Sequence, residues 1–201
     1  MILQPIAKLR RQAEKRNETM EGGAPWRALD FVLYLLVVML AVLAIRAVVA
    51  DPVRVDGLSM LDTLSDGEVM GVDRLAYALR TPQRGDVVIC YYPDEYYVQR
   101  NKSYNTRVKR VVAVGGDTIE TIGGEVCVNG EPVAEAYVSA NRAGYQQIER
   151  TVVPDGCVYV LGDNRAVSID SRDAAVGPVP LYRVVGKVRF VIYPFKQFRT
   201  V

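Results

Sequence analysis

The chain has 201 residues, half of them hydrophobic, a formal net charge of +2 and no histidine. The missing imidazole excludes a Ser-His-Asp triad, a Cys-His dyad and any histidine-ligated zinc. Acids and bases are interspersed, so nothing marks a nucleic-acid surface. Cys90, Cys127 and Cys157 are widely spaced with no Cys-x-x-Cys pair. They read as three buried, inert thiols rather than a metal site, with one disulfide and a spare thiol left open.

Residues 1–30 form a polar tail in which Lys8, Arg10, Arg11, Lys15, Arg16 and Arg27 outnumber the acids. A short amphipathic or disordered segment is expected there. From Phe31 to Ile45 there is no charge, and the apolar run continues through Arg46 to Ala50. As a helix, 31–50 would span about 30 Å, the thickness of a bilayer core. Arg46 lies near one end, where its head can reach the interface. Bases before the run and Asp51, Asp56, Asp62 and Asp66 after it predict an N-terminus-in orientation, with Trp26 and Arg27 at the cytoplasmic interface. A cleavable signal peptide is the rival, because Val48-Val49-Ala50 offers small residues. The long polar leader and Arg46 favour a retained anchor.

Residues 51–201 suit one compact domain. Val87–Tyr92 is a β-branched and aromatic run closed by Pro93-Asp94, and Val108–Val114 is a second, ended by Gly115-Gly116-Asp117. Val126-Cys127-Val128, Asn129-Gly130 and Glu131-Pro132-Val133 predict a hairpin with a type I′ turn. Val158–Leu161 follows Asp155-Gly156. Val188, Phe190 and Ile192 alternate with Arg189 and Val191 in a last strand. The soluble part carries no long helical stripe. The predicted class is mostly β: one transmembrane helix, then an all-β domain of antiparallel sheets or a barrel-like sandwich. The tyrosine-rich segment from Tyr91 to Arg107 reads as a surface loop that touches the membrane interface or as plain hairpin decoration.

The chemistry centres on Asp56–Leu64, where Ser59 stands shortly after the apolar run. Without histidine, a serine nucleophile needs another base. Among the lysines beyond the apolar run, Lys102 is in a polar loop, Lys187 in the last strand and Lys196 close to the end of the sequence. Lys109 lies within Val108–Val114, and period-2 geometry puts it on one face with Val111 and Ala113. Desolvation there would favour the neutral amine, which can take the serine proton and return it to a leaving amine. The adjacent Arg110 stays charged and cannot. A strand lysine that snorkels to solvent is the alternative. A third cluster runs from Gly162 to Arg172. Asp170 and Arg172 are spaced to pair across a tight loop, and Ser168 could orient an amine. Asp163 and Asp170 read as members of a solvated loop with a structural ion pair, not as a catalytic carboxylate pair.

Together these clusters resemble type I signal peptidases, the membrane-anchored Ser–Lys endopeptidases, from residue 31 onward. The motif Ser-Met-x-Pro-Thr-Leu is similar to Ser59–Leu64, and Arg-Gly-Asp-Val to Arg84–Val87. The lysine motif is matched by Lys109-Arg110 and Gly116-Asp117, and Gly-Asp-Asn-x-x-x-Ser-x-Asp-Ser-Arg by Gly162–Arg172. The short Ser59–Lys109 separation is similar to the compact Gram-positive form.

The resemblance implies that Ser59 attacks the scissile carbonyl with Lys109 as general base, that Ser168 orients the amine, and that Asp170 and Arg172 support the site. Val55, Met60, Leu64 and Val108 would line small pockets for alanine-like side chains, beside a substrate bound by strand addition. It further implies no metal or cofactor. The partners would be secreted preproteins and the lipid bilayer, with the catalytic domain outside the cytoplasmic membrane of a bacterium.

Two departures stand out. Asp62 replaces the usual proline, which would alter the turn that presents Ser59 or mark a specialised paralogue. Gly57 replaces a serine that assists the oxyanion hole in some members, so the hole would rest on backbone N–H groups such as that of Ser59. Two rivals remain. A self-cleaving repressor-like protease needs a DNA-binding module where residues 1–50 offer a span. A non-catalytic anchored β-domain that binds export substrates would treat Asp62 as the lesion.

Overall fold

The computed structural model describes residues 23–48, 52–78, 80–92, 106–140 and 147–201. Most of the N-terminal tail, Lys102 and the tyrosines Tyr96, Tyr97 and Tyr104 lie outside these. The chain divides into two units, Met1–Arg46 and Ala47–Val201.

The described part of the first unit is helical, in helix α1, Gly23–Val48, whose last two residues fall in the second unit. It starts eight residues before the apolar run, because Trp26-Arg27-Ala28-Leu29 suits a helix and Pro25 falls in its first turn. The residues of 27–42 are all exposed, Phe31 and Tyr34 among the most. Among the described residues, no helix is long and apolar enough to cross a membrane.

Among the described residues, the second unit is built from twelve strands. In order they are β1 (Pro52–Arg54), β2 (Val69–Asp73), β3 (Val87–Tyr91), β4 (Thr106–Val114), β5 (Thr118–Ile122) and β6 (Glu125–Val128), then β7 (Glu131–Pro132), β8 (Thr151–Val152), β9 (Cys157–Leu161), β10 (Val179–Pro180), β11 (Val184–Tyr193) and β12 (Arg199–Thr200). One sheet runs β1-β2-β11-β3-β4-β9-β10, with β12 against β11, and a smaller one runs β7-β6-β5-β8. All pairings are antiparallel. The mostly β expectation therefore holds, and Asn129 and Gly130 both take the positive φ that a type I′ hairpin requires.

Strict alternation fails where bulges intervene. In β11 the register against β2 shifts between Val188 and Phe190 and again between Val191 and Tyr193. Val188 and Val191 are buried as a result, three residues apart, while Phe190 lies over Gly71 of β2. A Cβ at Gly71 would come within 2.9 Å of the Phe190 ring, which is why a glycine interrupts that strand. A similar shift between Val111 and Ala113 of β4 leaves Val112 and Ala113 in the same core cluster.

The large sheet buries Val55, Met60, Leu64, Met70, Val72, Val87 and Ile89 in one cluster and Val88, Cys90, Val111 and Val160 in a second. A third, around Ile119, Val128 and Tyr159, joins it to the small sheet. The cysteines are all free, and Cys157 is only partly buried, because it opens β9 after the Pro154-Asp155-Gly156 turn.

Candidate active site

Lys109 is at the fourth position of β4, opposite Val88 of β3. Cross-strand pairing puts both side chains on one face, with Val111 two residues further on. Lys109 is 1% exposed, so its ammonium has almost no water. Burial pushes the amine down to about 8, against the pull of the Asp170 and Asp163 carboxylates. It does not snorkel. The Lys109 Nζ lies 2.6 Å from the Ser59 Oγ, 50 residues away in sequence. The other described lysines are engaged or exposed elsewhere: Lys187 pairs with Asp86, and Lys196 is exposed.

Ser59 rides on a short turn whose apolar side chains sink inward, Met60 and Leu64 being 2% and 0% exposed. The Leu64 N–H donates to the Met60 carbonyl at 2.8 Å, which closes the turn. Asp62 is exposed in it, after a cis Leu61–Asp62 peptide, and Ser59 still faces Lys109. Gly57 has φ +104°, and its N–H donates to Asp66 Oδ1 at 2.8 Å. A glycine tolerates that backbone conformation without strain.

The Gly162–Arg172 loop wraps this turn from behind. The Asn164 N–H donates to the Ser59 carbonyl at 3.0 Å and Asn164 Nδ2 to the Leu58 carbonyl at 3.0 Å. Asp170 accepts from the Gly162 N–H at 3.0 Å and from Arg172 Nε at 2.8 Å. Burial raises the Asp170 carboxyl, but the Arg172 guanidinium and the Gly162 N–H act together against this, and the carboxyl is held below the usual range. The solvated loop of the sequence reading is therefore a buried one: Asp163 and Asp170 are 0% and 1% exposed. Ser168 does not carry out the orienting contact expected of it. Its hydroxyl is enclosed, makes no hydrogen bond of normal geometry, and lies where a side chain on Gly162 would stand.

Several participants were not singled out from sequence. Arg110 binds Asp163 through two hydrogen bonds, donates to Thr63 Oγ1 and the Gly85 carbonyl, and stacks 3.9 Å from the Tyr137 ring centre. Thr63 donates to Asp163 at 2.5 Å. Arg165 pairs with Glu135 and donates to the Gly162 carbonyl. The charges of Arg110 and Asp163, inside two motifs already noted, were the available signal. Arg84 pairs with Asp117 and so ties two further motif segments together.

A groove of about 220 Å³ opens beside Ser59, lined by Val55, Gly57, Met60, Ile89, Thr106 and Val108 among others. Three of the four expected pocket residues line it. Leu64 does not, because it is spent in the core beneath. Among the described residues, Thr106–Lys109 pair only with β3, since β9 meets β4 from Arg110 onward, and β1 pairs only with β2. Two strand edges thus flank the groove.

Residues 28–193 match the family model "Signal peptidase, peptidase S26". The chain belongs to the signal peptidase family. It is 34% identical to signal peptidase I of Bacillus licheniformis over 178 residues, covering 85% of this chain and 91% of the relative. It is 32% identical to a probable signal peptidase I-1 of Synechocystis, covering 87% and 88%, and 30% identical to signal peptidase I T of Bacillus subtilis, covering 92% and 97%. Membership makes the chain a peptidase, a hydrolase of the peptide bond. The repressor-like and non-catalytic readings lose their ground.

Proposed function

We propose that the chain is a membrane-bound serine endopeptidase that removes N-terminal signal peptides from exported preproteins after small residues. The observation that carries this is the 2.6 Å contact between Ser59 Oγ and a lysine amine buried to 1% exposure. The exposed apolar side chains of α1 and the bases that precede them suit membrane attachment, with the tail inside and the β-rich unit outside the cytoplasmic membrane.

A preprotein segment would enter extended between the Val53–Gly57 edge and Thr106–Val108, adding main-chain hydrogen bonds to both. Val55, Met60 and Val108 leave room for small side chains. The neutral Lys109 amine takes the Ser59 hydroxyl proton as Oγ bonds to the scissile carbonyl carbon. Backbone N–H groups, that of Ser59 among them, stabilise the oxyanion. Collapse of the intermediate breaks the C–N bond, and the Lys109 ammonium gives its proton to the departing amine. Water then attacks the Ser59 ester and loses a proton to Lys109; the acyl C–Oγ bond breaks, Lys109 returns the proton to Oγ, and the signal peptide leaves with a new C-terminal carboxyl group.

The test uses full-length protein in detergent and a peptide with an Ala-x-Ala site. Cleavage after the last alanine, lost in Ser59→Ala and Lys109→Met, is expected. Full activity of Lys109→Met would remove the mechanism.

A further inference from the structure

Arg199 lies in β12, 136 residues beyond Thr63, yet its Nη2 donates to the Thr63 carbonyl at 2.7 Å. The same guanidinium binds Glu68 in a fork, Nη1 to Oε1 and Nη2 to Oε2, each at 2.8 Å. Glu68 is 3% exposed and closes the loop that carries Ser59. Its carboxylate accepts from the Ser65 N–H at 2.9 Å, and its carbonyl accepts from the Val55 N–H at 2.8 Å. Thr63 is thereby held twice. Its side chain goes to Asp163 and Arg110, and its main chain to Arg199.

We propose that Arg199 is a positioning residue for the nucleophile: it fixes the Ser59 turn from the side opposite the Gly162–Arg172 loop. The inference rests on the Ser59–Lys109 reading. Two physical points carry it. A planar guanidinium can bind both carboxylate oxygens in a fork and still reach a carbonyl, a geometry that the single nitrogen of a lysine does not reproduce. Removing it would leave a buried carboxylate without its counter-charge. Glu68 would then shift towards solvent, and its bonds to Ser65 would carry the shift into the turn that aims Ser59. Displacement of a nucleophile by about 1 Å is enough to lower turnover about a hundredfold.

Arg199→Met, Arg199→Lys and the double variant Glu68→Gln/Arg199→Met would be compared with wild type in detergent. Arg189→Met serves as control, since it breaks the more exposed Arg189–Asp73 pair on the neighbouring strand. The expected result is a fall in kcat of about 10- to 100-fold for Arg199→Met, with KM within about twofold. Arg199→Lys should recover part of the loss. The double variant has no orphan carboxylate, so it should regain thermal stability while kcat stays low, because Thr63 still lacks its donor. Wild-type kcat in Arg199→Met, or kcat returning with stability in the double variant, would overturn the proposal. Cleavage surviving in Ser59→Ala would instead overturn the Ser–Lys reading beneath it.

Discussion

The Arg110 guanidinium grips the Asp163 carboxylate at 2.9 and 2.7 Å, one residue along from the lysine that touches Ser59. Asp163 is fully buried, so this pair closes the Gly162–Arg172 loop onto β4. Removing one partner leaves the other charge buried and alone, at a cost of about 3–5 kcal/mol. Arg110→Met should therefore lower the thermal midpoint by about 10 °C, since about 2–4 °C per kcal/mol applies to a domain of this size. Differential scanning calorimetry checks it. A midpoint within about 2 °C of wild type would mean the loop is held by its apolar contacts instead.

The buried amine sets the pH dependence of turnover. With Lys109 lowered to about 8, the neutral base is a minority species at pH 7 and dominates above pH 9. The kcat/KM of peptide cleavage should rise about tenfold per pH unit below 8 and level off above it. A profile flat between about pH 6 and 10 would show that no amine of this kind limits the rate.

The Ser59–Lys109 pair was legible in sequence because elimination works on it. With no histidine, and with Lys109 inside a β-branched run, few pairings remain. The hairpin at Asn129-Gly130 was legible for a similarly local reason, as both residues must take positive φ. The bracing was not. Asn164, Thr63, Arg165 and Arg199 act through contacts 30 to 136 residues apart, and no local pattern encodes those. β2 was missed because it is buried through its middle, with Gly71 making room for Phe190, so it shows no alternation.

The same buried amine should cost stability. The unfolded chain holds the Lys109 proton up to about pH 10.5, whereas the folded chain releases it near 8. Stability therefore rises as pH climbs from 8 to 10.5, and below 8 the folded state carries the full penalty of about 3 kcal/mol. Lys109→Met removes that penalty and loses one hydrogen bond worth about 1 kcal/mol. At pH 7 the variant should melt several degrees above wild type, and the gap should close as pH approaches 10. Thermal melts of both proteins at matched pH measure it. A variant less stable than wild type at pH 7 would show that the lysine is not desolvated in solution.

Gly162 is the tightest point behind the nucleophile. A Cβ there would stand 2.5 Å from the Ser59 carbonyl oxygen and 2.6 Å from the Ser168 Cβ, both inside van der Waals contact. The Ser59 carbonyl is already held by the Asn164 N–H at 3.0 Å, and Gly162 is held by Asp170 and Arg165, so neither side can give way without breaking a buried hydrogen bond. The strain of such overpacking is about 1–3 kcal/mol, and it falls on the turn that aims Ser59. Gly162→Ala should lose about a hundredfold in kcat, far more than its stability loss alone would cause at 25 °C. Ser168→Ala removes the nearest hydroxyl, so combining it with Gly162→Ala should restore part of that activity. A double variant no better than Gly162→Ala would place the clash on the Ser59 carbonyl and the Ser168 Cβ, which alanine keeps, rather than on the Ser168 hydroxyl. Full activity in Gly162→Ala itself would show that the turn behind Ser59 yields without moving the hydroxyl.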